Sequence, residues 1–147
     1  MKIYFDVCSL CRPFDEHIQP QTHLEAEAVL ALIRQCRDND WTIAASEIID
    51  IELARVGNIE KLLQIRQLYG AATDYLEVTD EVKQLSKQFQ TNGIKLFDSL
   101  HLALAESNHY DYLLTTDIDF LRTARKLKLN VAVRNPVELL LEDFENE

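Results

Sequence analysis

Short apolar runs alternate with amphipathic helical patterns along nearly all of this chain, and no other feature narrows its fold so far. Ile3-Tyr4-Phe5 reads as a short buried strand. Leu24, Ala28, Leu32 and Cys36 recur at helical spacing and predict a helix over about 21–38. Trp41 to Ala45 is the next strand, and Ser46 is placed to cap the helix carrying Ile48, Ile49 and Glu52. Asn58 opens a helix through about Leu68, Tyr75 to Val78 is a short edge segment, and Thr79 caps a helix presenting Val82, Leu85 and Phe89. After Gly93 a helix runs from about Phe97 to Ser107. Tyr112 to Thr115 is a strand, Ile118 to Lys128 a helix and Val131 to Val133 the last strand, with Pro136 opening a final helix.

Strands that alternate with helices imply a parallel sheet covered on both faces. The 147 residues fit one domain over 1–147, large enough to bury a core without a disulfide or metal staple. Only three glycines and three prolines occur, so loops are short and flexible linkers are absent. No apolar run approaches the roughly 20 residues that span a bilayer. The N-terminus shows no signal-peptide pattern, and three cysteines make no disulfide framework. These features describe a cytoplasmic protein with no membrane partner.

In parallel α/β folds, ligands collect beyond the carboxyl ends of the strands. Two acids stand at such exits: Asp6 after Ile3-Tyr4-Phe5, and Asp117 after Leu113-Leu114-Thr115-Thr116. Glu52 and Asp98 lie in helices among apolar neighbours, where ionised acids are rare without a partner. Each close pair of carboxylates repels by about 4 kcal/mol at about 4 Å and an effective dielectric near 20. A hard divalent cation relieves that repulsion; carboxylate oxygens suit magnesium or manganese, and such an ion activates water against a phosphodiester. The plain alternative is that Asp6 and Asp117 cap the helices that follow them, with Glu52 and Asp98 solvated at helix edges.

Four stretches, in order, resemble the motifs of the PIN-domain family, which includes the VapC-type ribonuclease toxins of bacterial toxin–antitoxin pairs. They are Tyr4-Phe5-Asp6-Val7-Cys8-Ser9-Leu10, Ser46-Glu47-Ile48-Ile49-Asp50-Ile51-Glu52, Gly93 to Ala103 around Phe97-Asp98-Ser99, and Thr115-Thr116-Asp117-Ile118-Asp119-Phe120. The resemblance covers the whole chain. It implies a three-layer, Rossmann-like α/β/α sandwich with a mostly parallel sheet, and a magnesium or manganese site at Asp6, Glu52, Asp98 and Asp117. Asp119 is implied as an outer acid and Thr116 as a supporting residue. Hydrolysis of single-stranded RNA, a homodimer and a cognate antitoxin are implied as well. There is one departure: where the family has Ser, Thr or Asn two residues after the first acid, this chain has Cys8, so the polar ordering role falls to Ser9.

Other features point elsewhere. Cys8 and Cys11, with His17 and His23, offer four zinc ligands, or a redox pair after a strand; ordinary buried cysteines in a short helix are the plainer reading. An aspartyl-phosphate enzyme would need a second aspartate at position 8. His101 lies one turn after Asp98 on the same face, as a general base or a supporting residue. The net charge of −10 argues against a phosphate-rich partner. Residues 121–137, however, hold Arg122, Arg125, Lys126, Lys128 and Arg134 and no acid, which leaves the rest of the chain at −15. These residues form either a solvated helix face or a track for RNA; Arg122 and Arg125, with Arg12 and Lys95 beside the first and third motifs, are the contacts expected. A binding module that keeps the acids without turnover, and a DNA nuclease, would use the same residues. An apolar patch at Leu62, Leu63 and Ile65 is the expected dimer surface.

Overall fold

The structure, a computed structural model, describes residues 1–16 and 19–145. Five strands form one sheet: β1 (Lys2–Phe5), β2 (Thr42–Ser46), β3 (Asp74–Leu76), β4 (Tyr112–Leu114) and β5 (Ala132–Arg134). Their order is β3-β2-β1-β4-β5 and every pairing is parallel, with Phe5 beside Leu114 and Ser46 beside Leu76. Eight α-helices are described: α1 (Val7–Cys11), α2 (Pro20–Asp38), α3 (Glu47–Leu53), α4 (Ile59–Tyr69), α5 (Asp80–Thr91), α6 (Leu96–Ser107), α7 (Ile118–Arg125) and α8 (Pro136–Glu145). The result is a three-layer α/β/α sandwich, in which α2 packs on α8 and α5 on α6. None of the described helices is long and apolar enough to cross a membrane.

Capping side chains start the helices where the sequence sets them. Ser46, Asn58 and Thr79 accept from the amides of Ile49, Lys61 and Val82 at 3.1, 3.0 and 3.2 Å. At Gly93 the backbone takes φ +95, which turns the chain from α5 towards α6. Ile3, Tyr4 and Phe5 are wholly buried at the centre of the sheet, and each such side chain contributes about 1.5–3 kcal/mol of apolar transfer.

Three readings of the sequence change. Leu24 is 53% exposed, and Glu25 takes the inward position on α2 instead. That acid is stabilised by Arg12 at 3.1 Å and Asn135 at 2.5 Å, so the side chain facing inward is a charged group with partners. The expected dimer patch is divided: Ile65 belongs to the core and Leu62 is half-buried, while Leu63 and Ile59 face outward. The cysteines are not uniformly buried; Cys36 is, Cys11 is half-buried and Cys8 is exposed. His17, one of the four zinc ligands considered, lies outside the described residues.

The strand order places the site. The chain runs outward from β1 to β3, then crosses back to β4 on the other side of β1, so the switch point falls between β1 and β4. Asp6 follows one strand and Asp117 the other, and the Asp6 amide donates to the Leu114 carbonyl at 3.0 Å.

Candidate functional site

Asp6 is 2% exposed, and its carboxylate Oδ1 accepts the Ser9 amide at 2.8 Å, capping α1. The other oxygen, Oδ2, is buried and has no hydrogen-bond partner. A buried carboxylate oxygen left bare is costly, because it gives up its hydration with no hydrogen bond in return. Burial raises the Asp6 pKa, opposed by the Thr115 hydroxyl, by His101 and by Ser9.

Asp117 caps α7, its Oδ1 accepting the amides of Asp119 at 3.0 Å and Phe120 at 3.1 Å. The plain expectation that both strand-end acids cap helices is therefore what the structure has, and in each the capping uses one oxygen. Asp98 is half-buried on α6, and its pKa is pushed up to about 6, first by burial and then by the charges of Asp6 and Asp117. A narrow cleft of about 40 Å³ brings Asp98, Asp117 and Asp119 together with Lys95.

Glu52 reaches the same neighbourhood from α3. Its Oε1 meets His101 Nε2, and His101 Nδ1 lies 2.5 Å from the Tyr4 hydroxyl, which is 2.8 Å from Ser46 Oγ. One arrangement of protons satisfies every member: Ser46 donates to Tyr4, Tyr4 to His101, and His101 to Glu52. Ser46 also caps the helix that carries Glu52, so the chain of bonds returns to its own support. Nothing in the apolar run of β1 singled out Tyr4, although a buried tyrosine hydroxyl normally finds a partner.

Cys8 stands at the surface among the acids; partial desolvation of its thiol and the charges of Asp6, Asp98, Glu52 and Asp117 push its pKa up. It therefore stays a thiol rather than a nucleophilic thiolate. Ser9, expected to take the ordering role, is fully buried, with its hydroxyl on the Leu114 carbonyl at 3.0 Å. Thr115 is the hydroxyl that sequence reasoning passed over; besides facing Asp6 it accepts the Asp117 amide at 3.1 Å. Thr116 lines a second, wider cleft with Cys8, Cys11, Arg12 and Asp117, so Asp117 stands between the two openings.

The expected basic contacts separate into two groups. Arg12 pairs with Asp15 and Glu25, and Arg125 with Glu138 and the Val133 carbonyl. Lys95 and Arg122 are exposed and form no ion pair among the described residues. Also among the described residues, no three histidine, cysteine or acid side chains form a ready-made group for a metal ion.

The PIN-domain family model matches residues 7–126, a span holding Glu52, Asp98 and Asp117 and beginning one residue after Asp6. The chain belongs to the PIN-domain family. Solved structures with this PIN fold include VapBC2 from Rickettsia felis bound to a DNA fragment from its promoter. The match has a TM-score of 0.65 at 15% identity over 92% of this chain and 98% of that one. FitAB bound to an IR36 DNA fragment matches at TM-score 0.60 and 21% identity, over 92% and 95% of the two chains. PAE2754 from Pyrobaculum aerophilum matches at TM-score 0.56 and 16% identity, over the full length of both. No curated protein matches this chain significantly.

Proposed function

We propose that this PIN-domain chain is a divalent-metal-dependent nuclease that hydrolyses single-stranded RNA, and that it serves as the toxin of a toxin–antitoxin pair. The observation that carries the reading is Asp6 Oδ2, buried and without a partner at the switch point of the sheet, with the charges of Asp6 and Asp117 close enough to help raise the Asp98 pKa. The residues fit a hard cation: Asp6, Glu52, Asp98 and Asp117 offer carboxylate oxygens, the donors magnesium and manganese prefer, and Asp119 lies beside them. When bound, the ion supplies Lewis acidity at the phosphate and a lowered pKa for water.

The chain's own contribution is to hold its acids. Ser9 and the first amides of α7 each fix one oxygen of Asp6 and Asp117, and His101 fixes one of Glu52. Pre-positioned ligands lose little freedom when an ion arrives, which favours tight and well-oriented binding. Lys95 in the narrow cleft, and Arg122 one turn beyond Asp119, carry unpaired charge suited to backbone phosphates.

The toxin assignment draws support from the VapBC2 and FitAB complexes among the structures of this fold. A second copy is part of the same reading, with Ile59 and Leu63 exposed on α4 as apolar surface for it; size-exclusion chromatography of wild type against Leu63→Asp tests this. A PIN-fold binding module without turnover is the second reading, favoured by the net charge of −10 and by the commitment of Arg12 and Arg125 to acids. Cleavage of mixed single-stranded RNA with magnesium or manganese, against excess EDTA and beside Asp6→Asn, separates the two. Metal-dependent cleavage lost in the variant supports the nuclease. No cleavage from a preparation free of bound partner supports the binding module.

A further inference from the structure

Helix α3 and the turn that follows it meet α6 through two rungs. The first joins Glu52 to His101; the second sets the Arg55 guanidinium over the Phe97 ring, with Cζ 4.7 Å from the ring centroid. Phe97 and His101 are four residues apart on α6, and just past α3 the Arg55 amide donates to the Glu52 carbonyl at 3.0 Å, so the rungs lie about one helical turn, or about 5 Å, from each other. Arg55 thus stands one turn from an acid of the candidate metal site, and Phe97 directly precedes another, Asp98.

Arg55 is exposed and has no carboxylate partner among the described residues, in contrast to Arg12, Arg125 and Arg134, each held by an acid. Like Arg122 it carries unpaired charge near the acids, and what sets Arg55 apart is that its guanidinium rests on an aromatic ring. Leu96, 54% exposed, adds apolar surface next to Phe97. A guanidinium over a ring is a flat, weakly hydrated platform whose outer face is open. The ligand chemistry that matches such a platform is a planar, unpaired nucleobase, which stacks on Arg and aromatic side chains in single-strand recognition.

We propose that Arg55, supported by Phe97, seats an unpaired base of the single strand beside the scissile phosphate and so selects single-stranded over duplex substrate. The proposal rests on the nuclease reading only for the word scissile; the seat itself is a binding site. Bases in a duplex are covered by their neighbours and leave only an outer charge contact to Arg55, so the seat distinguishes the two forms without reading sequence.

The test measures binding by fluorescence anisotropy of a labelled single-stranded RNA and of its duplex, in EDTA so that no cleavage intervenes. The proteins are wild type, Arg55→Ala, Arg55→Lys and Phe97→Leu, each with its melting temperature. Both Arg55 variants are expected to lose about tenfold in single-strand affinity, the scale of one stacked base, with little change for duplex and an unchanged melting temperature. Phe97→Leu is expected to lose part of that affinity. Single-strand affinity kept by Arg55→Lys overturns the proposal, because lysine keeps the charge and loses the plane. Equal losses for single strand and duplex overturn it too, as does wild-type protein that binds no single strand. If the wild type binds the strand yet never cleaves it with metal added, the nuclease reading fails and the seat is still decided by the variants.

Discussion

Glu52 and His101 meet across α3 and α6, and the imidazole is itself held by the Tyr4 hydroxyl from the central strand at 2.5 Å. An acid on the surface of one helix is thereby anchored to the core of the sheet. Tyr4 lies in β1 immediately before Phe5 and Asp6, so one short strand supports two of the four acids.

Tyr4→Phe keeps the ring in the core and deletes the hydroxyl, leaving His101 Nδ1 buried without a donor. The expected cost is about 1–3 kcal/mol, read by urea unfolding. Loss of the anchor also frees Glu52, so more manganese is expected to be needed for half-maximal cleavage. An unchanged manganese requirement in a folded Tyr4→Phe protein would show that Glu52 does not depend on this chain of bonds.

Much of this was legible beforehand because the relevant signals are local. Ser46, Asn58 and Thr79 as caps, Asp6 and Asp117 at strand exits, and the edge segment near Tyr75 all follow from residues within one turn of each other. What stayed hidden depends on chain segments far apart. Tyr4 to His101 spans 97 positions and Glu25 to Asn135 spans 110, and neither partner announces the other. The outward position of Leu24 has the same cause: helical spacing locates the helix, but the choice between Leu24 and Glu25 for its inner face depends on Arg12 and Asn135 being there to receive the acid.

Asp98 titrates near 6 in the folded, metal-free protein against an ordinary value of 3.8, and Asp6 shifts in the same direction. Between about pH 4 and pH 6 the folded form therefore holds a proton that the unfolded chain releases, and stability falls as pH rises through that window. Asp98→Asn removes the penalty and is expected to stabilise metal-free protein at about pH 7 by on the order of 1–2 kcal/mol, with no gain at about pH 4. Thermal melts at the two pH values check this; a variant less stable than wild type at neutral pH contradicts it. The same variant should abolish metal-dependent cleavage.

Cys8 and Ser9 should respond differently. Ser9→Ala deletes a buried hydrogen bond to a carbonyl that keeps its bond from the Asp6 amide, for a loss of about 0.5–1.5 kcal/mol. Cys8 is exposed, so Cys8→Ser should leave stability within about 0.5 kcal/mol. It exchanges a soft sulfur for a hard oxygen among four acids, and a magnesium titration of cleavage is expected to shift to lower concentration. An unmoved titration would mean that the side chain at this position takes no part in the site.

Asp117 has a structural and a chemical task that two substitutions can separate. Its Oδ1 caps α7 through two amides, and asparagine caps about as well as aspartate, whereas alanine does not. Asp117→Asn should therefore unfold at the wild-type urea concentration or slightly above it, because a repelling charge beside Asp98 is gone. Asp117→Ala should lose about 0.5–2 kcal/mol from the missing cap. If the residue also holds the ion, both variants lose cleavage, although only one loses stability. Wild-type cleavage by Asp117→Asn would assign this acid to the helix alone and reduce the candidate ligands to Asp6, Glu52 and Asp98.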